Sequence, residues 1–340
     1  MIQQMVLSAA NVATFTRYAG NPIIDFGGPT WEHNQLTSPI VFVDPTDPTK
    51  LIMIYTGLES LVSLSKIGAA TATVSNPYSW TESPANPLVS TADSLWPNSV
   101  VIVGTDVYLY VSNFYNNWID LYLSHNLTAN SVMDGSVTFT VTSNIFAASG
   151  DETVMYYASV IRDDPTHWYM AHAYRTGTIV PDQVLQGIRI ATSSDGISWT
   201  NNETDMIHVG AAGRFDDYFI EGAQLMKVAG KYLLFYYAYN GPYPGVDPNS
   251  RWTIGVAASD SPTSGWVKGT LNPVFRGSEQ ADTPDRYHVS TSWLVEVDGV
   301  WQMYYQGASN DPATTNYIDA SWSLGMATLS EGFSPLDLMR

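Results

Sequence analysis

The chain is 340 residues long, 45% hydrophobic and free of cysteine, and its 32 acidic residues against 14 basic ones leave a formal charge of −18. That length exceeds one ordinary core and points to two domains or one repeat architecture; without cysteine there is no disulfide, thiolate nucleophile or cysteine-bound zinc. So acidic a chain has no stripe for neutralising phosphates, so nucleic acid and an anionic membrane surface are excluded as expected partners.

Aromatic residues reach 13% while charged residues stay at 14%, a balance that favours strands over salt-bridged helices. No run approaches the ~18 apolar residues of a membrane helix. The opening "MIQQMVLSAANVATF" lacks a basic region and a long apolar core, so it does not read as a signal peptide, and the compartment stays open.

In chain order, "AGNPIID" at Ala19 precedes a first unit of four strand-like segments: "SPIVFVD" at Ser38, "LIMIYTG" at Leu51, "IGAATATV" at Ile67 and "YSWTESPANPLV" at Tyr78. The second unit reads "PNSVVIV" at Pro97, "VYLYVSN" at Val107, "IDLYLSHN" at Ile119 and "VTFTVTSNIF" at Val137. The third reads "YASVIRD" at Tyr157, "WYMAHAY" at Trp168, "IRIATSSDG" at Ile188 and "ISWTNNETDMIHV" at Ile197. The fourth reads "GAQLMKV" at Gly222, "YLLFYYAY" at Tyr232, "IGVAASD" at Ile254 and "GWVKGTLNPVF" at Gly265. The fifth has "TSWLVEV" at Thr291, "WQMYYQG" at Trp301 and "LGMATLS" at Leu324, and then only "EGFSPLDLMR".

Each segment is short, β-branched or aromatic, and bounded by turn residues. The spacing is that of propeller repeats. The fourth strand missing from the fifth unit is echoed at the other end of the chain, where "GNPII" matches "ANPLV" and "LNPVF". The sequence therefore predicts an all-β fold: one domain over residues 1–340, a five-bladed β-propeller of four-stranded antiparallel blades. An N-terminal strand within residues 19–25 would complete the last blade and protect its edge. A two-sheet sandwich, or two small β domains, leaves the displaced "GNPII" without a reason.

In such a fold the first strand of each blade lines the axis. The segments leading into those strands are "WEHNQLTSP", "DSLWPNS", "DETVMYYAS", "DDYFIEGAQ" and "DRYHVSTS", which carry Glu32, Asp93, Asp151 with Glu152, Asp216 with Asp217, and Asp285. Taken singly, each acid reads as a turn residue or a solvated face. Taken together, they are expected to converge on one face. Glu221 differs from the rest because it sits at the strand itself, where a charge is costly unless paired, hydrated or used. Clustered carboxylates raise one another's pKa, as general-acid catalysis requires, or assemble a structural Ca²⁺ site. No metal-ligand set or other cofactor motif is otherwise present. The loops between second and third strands, "SNFYNNWID", "YRTGTIVPDQVLQ", "NGPYPGVDPNSR" and "GASNDPATTNYID", supply aromatic faces, amides, Arg175 and Arg251. That mixture suits a carbohydrate better than an apolar cofactor.

The segment "FIEGAQLMKVAGKYLLFYY" resembles the E-G-P…G-Y-Y-Y-L-F-Y stretch of glycoside hydrolase family 43, and "WPNSVVIVGTDVYLYVS" is similar to that family's W-A-P-x-V second blade at Trp96 and Pro97. "IRIATSSDGISW" is shared more widely, with families 32, 117 and 130. The resemblance covers nearly the whole chain. It implies a five-bladed propeller acting on a poly- or oligosaccharide, with a general-acid Glu at Glu221 and a blade-five His at His288 near a central ion. The family's general-base Asp falls at Thr37 or Ser38, and its pKa-tuning Asp at Tyr156 or Tyr157, so two of the three family carboxylates are absent from their usual places.

The expected chemistry is then inversion: Glu221 protonates the leaving oxygen, Glu32 or Glu152 activates water from the other side, and Asp217 tunes Glu221. His33, Trp96, Asn98, Tyr157, Arg175 and His288 are the expected sugar contacts, with His288 as the alternative proton donor. The competing expectation is a carbohydrate-binding propeller without catalysis, which the two missing carboxylates favour.

Overall fold

The computed structural model describes residues 12–28, 30–60, 64–176, 187–241, 249–311 and 320–340. After a short strand β1 (Phe15–Arg17), blade one holds β2 (Gln35–Val43), β3 (Lys50–Leu58), β4 (Lys66–Thr73) and β5 (Asn76–Glu82). Blade two holds β6 (Leu95–Val103), β7 (Asp106–Asn113), β8 (Trp118–Ser124) and β9 (Thr140–Ala147), with a helix α1 (Ala129–Asp134) before β9. Blade three holds β10 (Glu152–Asp164), β11 (His167–Thr176) and β12 (Gly187–Ser193); its outer edge is split between β13 (Trp199–Thr200) and β14 (Asp205–His208). Blade four holds β15 (Phe219–Val228), β16 (Lys231–Tyr239), β17 (Trp252–Ser259) and β18 (Val267–Lys268). Blade five holds β19 (His288–Val297), β20 (Val300–Ala308) and β21 (Ser323–Leu329), with β1 as its fourth strand. The fold is the five-bladed β-propeller that the repeats predict, closed by an N-terminal strand.

Burial follows position in the blade. In β3 every residue after Lys50 is buried, because a middle strand is covered on both faces and so reads as a continuous apolar run. The outer strand β9 exposes its first five residues. The core is correspondingly divided among the blade interfaces: Ile54 packs with Leu109 between blades one and two, Tyr110 with Met170 between two and three, and Ile190 with Leu234 between three and four. The innermost strands touch in the cyclic order β2, β6, β10, β15, β19. Hydrogen bonds stitch them together: Val160 N to Ser99 Oγ (2.9 Å), Leu225 N to Ser159 Oγ (2.9 Å), Leu294 N to Gln224 Oε1 (2.6 Å), and Trp293 Nε1 to the Val41 carbonyl (2.8 Å).

Closure differs in detail from the sequence expectation. The strand that completes blade five is Phe15–Arg17, paired antiparallel with Leu329–Ala327. Residues 19–25 contribute one bridge, Ile24 to Leu324. That bridge has counterparts at Val89–Ile67 and Phe275–Ile254, so the three Asn-Pro repeats occupy equivalent places. The Asn21–Pro22, Asn86–Pro87 and Asn272–Pro273 peptides are all cis. Each Asn closes two bonds on one backbone residue: Asn21 on Met326 (2.9 and 2.9 Å), Asn86 on Ala69 (3.0 and 2.9 Å), and Asn272 on Val256 (2.8 and 2.8 Å). Each also donates to a buried tyrosine hydroxyl, on Tyr305 (3.1 Å), Tyr55 (3.1 Å) and Tyr236 (3.2 Å) respectively.

Those hydroxyls explain where the leading-loop acids go. Tyr305 donates to Asp285 (2.9 Å), Tyr55 to Glu32 (3.2 Å) and Tyr236 to Asp216 (3.3 Å). The acids therefore belong to a repeated acid–Tyr–Asn latch inside blades one, four and five, and do not gather at the axis as expected. The reason is desolvation: a buried carboxylate must find donors, and the tyrosine of the neighbouring strand supplies one. Asp285 and Asp216 gain a cation as well, from Arg17 (2.6 Å) and Lys268 (2.5 Å).

Candidate active site

The site begins with a backbone irregularity. Every innermost strand breaks register at an equivalent station, Thr37/Ile40, Pro97/Ser99, Tyr156/Ser159, Glu221/Ala223 and Ser290/Trp293, and β10 has two further breaks, at Glu152/Val154 and Arg162/Asp164. A β-bulge turns side chains away from the regular alternation. Here Ser38, Tyr157, Gly222 and Thr291 take positive φ angles of 54°, 60°, 31° and 36°. Non-glycine residues held there cost energy and cluster at functional sites. Between the bulges lies an axial cavity of about 40 Å³ lined by Ser38, Asn98, Tyr157, Gly222 and Thr291, among others. That space has room for a few waters and is too small for a sugar ring.

Glu221 stands at the mouth of this cavity. It is the third residue of β15, opposite Tyr237, and is half-buried. Burial pushes its pKa up to about 8, and a hydrogen bond from Tyr157 pulls in the other direction. Among the described residues desolvation is the largest cause of that shift, and no carboxylate stands beside it as a cause. The bulge explains the tight packing: a Cβ on Gly222 would lie 2.2 Å from the Tyr237 ring, so glycine lets that ring close against the strand beside the carboxyl.

Aromatic rings wall the mouth on the side of blades two and three. Phe114 stacks on Tyr156 at 4.1 Å and 12°, and Trp96 lies 5.1 Å from Phe114 and 6.5 Å from Tyr157. Tyr157 meets Tyr237 edge to face at 5.6 Å. Next to Phe114, Tyr115 is 76% exposed, the most exposed large apolar side chain among the described residues.

Of the residues singled out from sequence, Glu221, Trp96 and Tyr157 are brought together. Asn98 lines the cavity, where its Oδ1 accepts from Ser112 N at 3.0 Å, and Ser112 Oγ in turn accepts from Tyr157 N at 2.9 Å. Asn98 therefore helps to place Tyr157. Arg175 is half-buried, and its charge acts on Tyr156, as does that of Glu221.

The others sit elsewhere. Glu32 lies between Tyr55 and Glu82, and Tyr55 also reaches Glu82 at 3.0 Å. Burial and the Glu82 charge push the Glu32 pKa up to about 8. Glu152 accepts from His172 Nε2 (3.0 Å) and Arg189 Nη1 (3.2 Å) inside blade three. Burial acts to raise its pKa, but His172 and Arg189 outweigh it and hold the pKa below the ordinary value. Neither acid is brought to Glu221. Asp217 accepts from Gly213 N at 2.5 Å and closes a turn. His33 is exposed.

His288 is 1% exposed, and its Nδ1 accepts from Trp252 N at 3.2 Å. Burial, with help from the Arg251 charge, lowers its pKa to about 3. That shift favours the neutral imidazole near pH 7. Among the described residues no group of three or more His, Asp or Glu is arranged to hold a metal ion. Phe114, Tyr156 and Tyr237 are additional wall residues, and Tyr115 is exposed beside them in sequence. The aromatic run "YLLFYYAY" facing the Glu221-Gly222 pair was the available signal for Tyr237, but only pairing register shows which of its rings meets the bulge.

No protein-family model matches the sequence, and no curated protein matches it either. Solved structures do resemble it. An α-L-arabinofuranosidase from Podospora anserina in complex with cellotriose is 13% identical over 94% of this chain and 96% of its own, with a TM-score of 0.65. A family-130 structure, described as belonging to a family with glycoside hydrolases that target β-1,2-mannosidic linkages in Candida mannan, is 16% identical over 94% and 95%, with a TM-score of 0.64. A thermostable family-43 glycoside hydrolase is 14% identical over 89% and 91%, with a TM-score of 0.58. At these identities the likeness establishes the propeller fold.

Proposed function

We propose that this protein is a glycoside hydrolase acting on a poly- or oligosaccharide, with Glu221 as the proton donor. One observation carries the reading. Beside the axial cavity, the Glu221 carboxyl has its pKa raised by burial to about 8 and lies against Tyr157, next to the stacked rings of Phe114, Tyr156 and Trp96. A general acid needs a pKa near the working pH, and aromatic faces suit the C–H faces of a sugar. The fold shared with arabinofuranosidase and family-43 structures supports the same reading.

Glu221 delivers its proton to the leaving glycosidic oxygen while Tyr157 holds the carboxyl in place. Glycoside hydrolysis of the usual kind needs a second carboxylate, about 5–5.5 Å away for retention or 6.5–9.5 Å for inversion. Glu32 and Glu152, the sequence candidates, are committed to their own blades. The loops after the second strands of blades three, four and five carry Asp182, Asp247 and Asp319, which lie outside the described residues, and these are the carboxylates to test next. The experiment is a glycan panel read by new reducing ends, for wild type, Glu221→Gln and the three Asp→Asn variants. Glu221→Gln should abolish turnover on any substrate found; undiminished cleavage removes Glu221 from the mechanism.

A specific observation favours a second reading, a sugar-binding propeller without catalysis: among the described residues, no second acid contributes to the electrostatics of Glu221. Retention of glycans on immobilised protein, with no cleavage anywhere in the panel, selects that reading.

A further inference from the structure

The latch of blade one departs from its two counterparts at one position. The register is the same in all three: Tyr55, Tyr236 and Tyr305 lie opposite Gly68, Gly255 and Gly325. Two residues on, Ala70, Ala257 and Ala327 face Glu82, Lys268 and Arg17 on the fourth strand. In blades four and five that residue is a cation and closes on the latch acid, Lys268 on Asp216 (2.5 Å) and Arg17 on Asp285 (2.6 Å). In blade one it is a second acid. Glu32 is 1% exposed, and the charged group that acts on it is Glu82.

A proton count shows what stands in for the cation. Tyr55 Oη lies 3.2 Å from Glu32 Oε2 and 3.0 Å from Glu82 Oε2, and it accepts from Asn86 Nδ2 at 3.1 Å. A phenol has one proton to give, so it satisfies one carboxylate; the second contact is a hydrogen bond when the other carboxyl brings a proton of its own. Without that proton two negative charges face one hydroxyl, one of them shut away from water, which is costly. Burial and both carboxylates push the Tyr55 pKa up, so the carboxyl proton is the one that leaves first. Glu82 is exposed and gives it a way to water. Of the other titratable groups around the latch, Asp25, His33, Glu59 and Lys66 lie on adjoining segments, and Asp134 of α1 accepts from Ser136 N at 2.9 Å. Blade five presents Tyr18 and Tyr304, ring to ring with Tyr78 and Trp80.

We propose that Glu32 and Glu82 hold one proton between them and that blade one is thereby a pH-sensitive latch, closed while the proton is bound and loosened when it leaves. The part it releases leads into the axis. The Trp31 ring, next to Glu32, fills the space over Gly57 and Gly68, where an added Cβ would lie 2.5 and 2.3 Å from it. The same segment runs on into Thr37 and Ser38 at the blade-one bulge. The inference needs no substrate and stands apart from the hydrolase reading.

Burial and the Glu82 charge raise the Glu32 pKa from 4.5 to about 8. The penalty on the folded state is therefore absent below pH 4.5, grows between pH 4.5 and 8, and is constant above. Urea unfolding at pH 4, 6 and 9, in the presence of a chelator, compares wild type with Glu32→Gln, Glu82→Gln and the double variant; the Glu221 contribution cancels in each comparison. The gain of Glu32→Gln over wild type should rise with pH, Glu82→Gln should show part of it, and the double variant should add no further pH dependence to Glu32→Gln, because the pair has one proton to lose. Gains that add refute a shared proton. Glu82→Lys, at an exposed position, restores the cation of blades four and five and keeps the idea testable where Glu32→Gln fails to fold. Amide exchange of residues 31–38, corrected for the intrinsic rate, should quicken about tenfold from pH 6 to pH 9 in wild type and stay level in Glu82→Lys. Level protection in wild type overturns the latch. A gain in stability at pH 9 on adding Ca²⁺, abolished by Glu82→Gln, overturns the proton in favour of a bound cation.

Discussion

Glu221→Gln should stabilise the protein in a pH-dependent way, independently of any substrate. The native carboxyl has its pKa raised from 4.5 to about 8. Below pH 4.5 both folded and unfolded chains hold the proton, so the residue is neutral toward stability. Between pH 4.5 and 8 the unfolded chain ionises while the folded one does not, so stability falls as pH rises. Above pH 8 the full penalty is present and constant. At about 1.4 kcal/mol per pH unit, a shift of this size sets an upper bound of about 5 kcal/mol. Glu221 keeps partial exposure, so about 1–3 kcal/mol is the realistic expectation. Glutamine has the same shape and no proton to lose. Urea unfolding of both proteins at pH 4, 6 and 9 reads the difference, in which every other titrating group cancels. The variant's advantage should be nil at pH 4, grow through pH 6 and be largest at pH 9. A constant difference across that range would refute the claim that burial holds Glu221 protonated.

Four further outcomes follow from the same geometry. Tyr157→Phe removes the hydrogen bond that lowers the Glu221 pKa, so the alkaline limb of a rate profile should move to higher pH; a shift to lower pH refutes the assigned bond. Gly222→Ala sets a Cβ 2.2 Å from the Tyr237 ring at a φ of 31°, and denaturant unfolding should register a loss of about 1–3 kcal/mol. Asn86→Ala unties three bonds in the blade-one latch and should cost about 1–3 kcal/mol by the same measurement, while leaving saccharide affinity unchanged. Tyr115→Ala, at a side chain 76% exposed, should weaken glycan binding several-fold with no change in melting temperature; undiminished affinity removes Tyr115 from the sugar platform.

The architecture was legible because repetition needs no knowledge of contacts. Five runs such as "LIMIYTG" and "YLLFYYAY" announce blades through their own apolarity, and the displaced "GNPII" announces closure. The strand that closes the ring is nevertheless Phe15–Arg17, because the Asn-Pro motif marks a latch beside the edge rather than the edge strand. Glu221 was legible because a carboxylate at the start of a buried strand is anomalous by itself. Glu32, Asp216 and Asp285 misled for the same reason that they repeat. Recurrence at one position of every unit signals a shared job, and here that job is bonding Tyr55, Tyr236 and Tyr305. Which way a loop acid turns depends on a tyrosine about 20 residues downstream, and spacing alone does not carry that information. Blade three shows how the latch is exchanged: His172 and Arg189 stand where blades one, four and five have tyrosine and glycine, and Glu152 follows them.

The aligned bulges make the centre of the molecule a socket with five interchangeable pins. Thr37, Pro97, Tyr156, Glu221 and Ser290 hold the same station on their strands, and the scaffold behind each is bonded through neighbours that do not depend on the identity of the pin. A new specificity can therefore arise one station at a time, by single substitutions that leave the stitching of the wheel untouched.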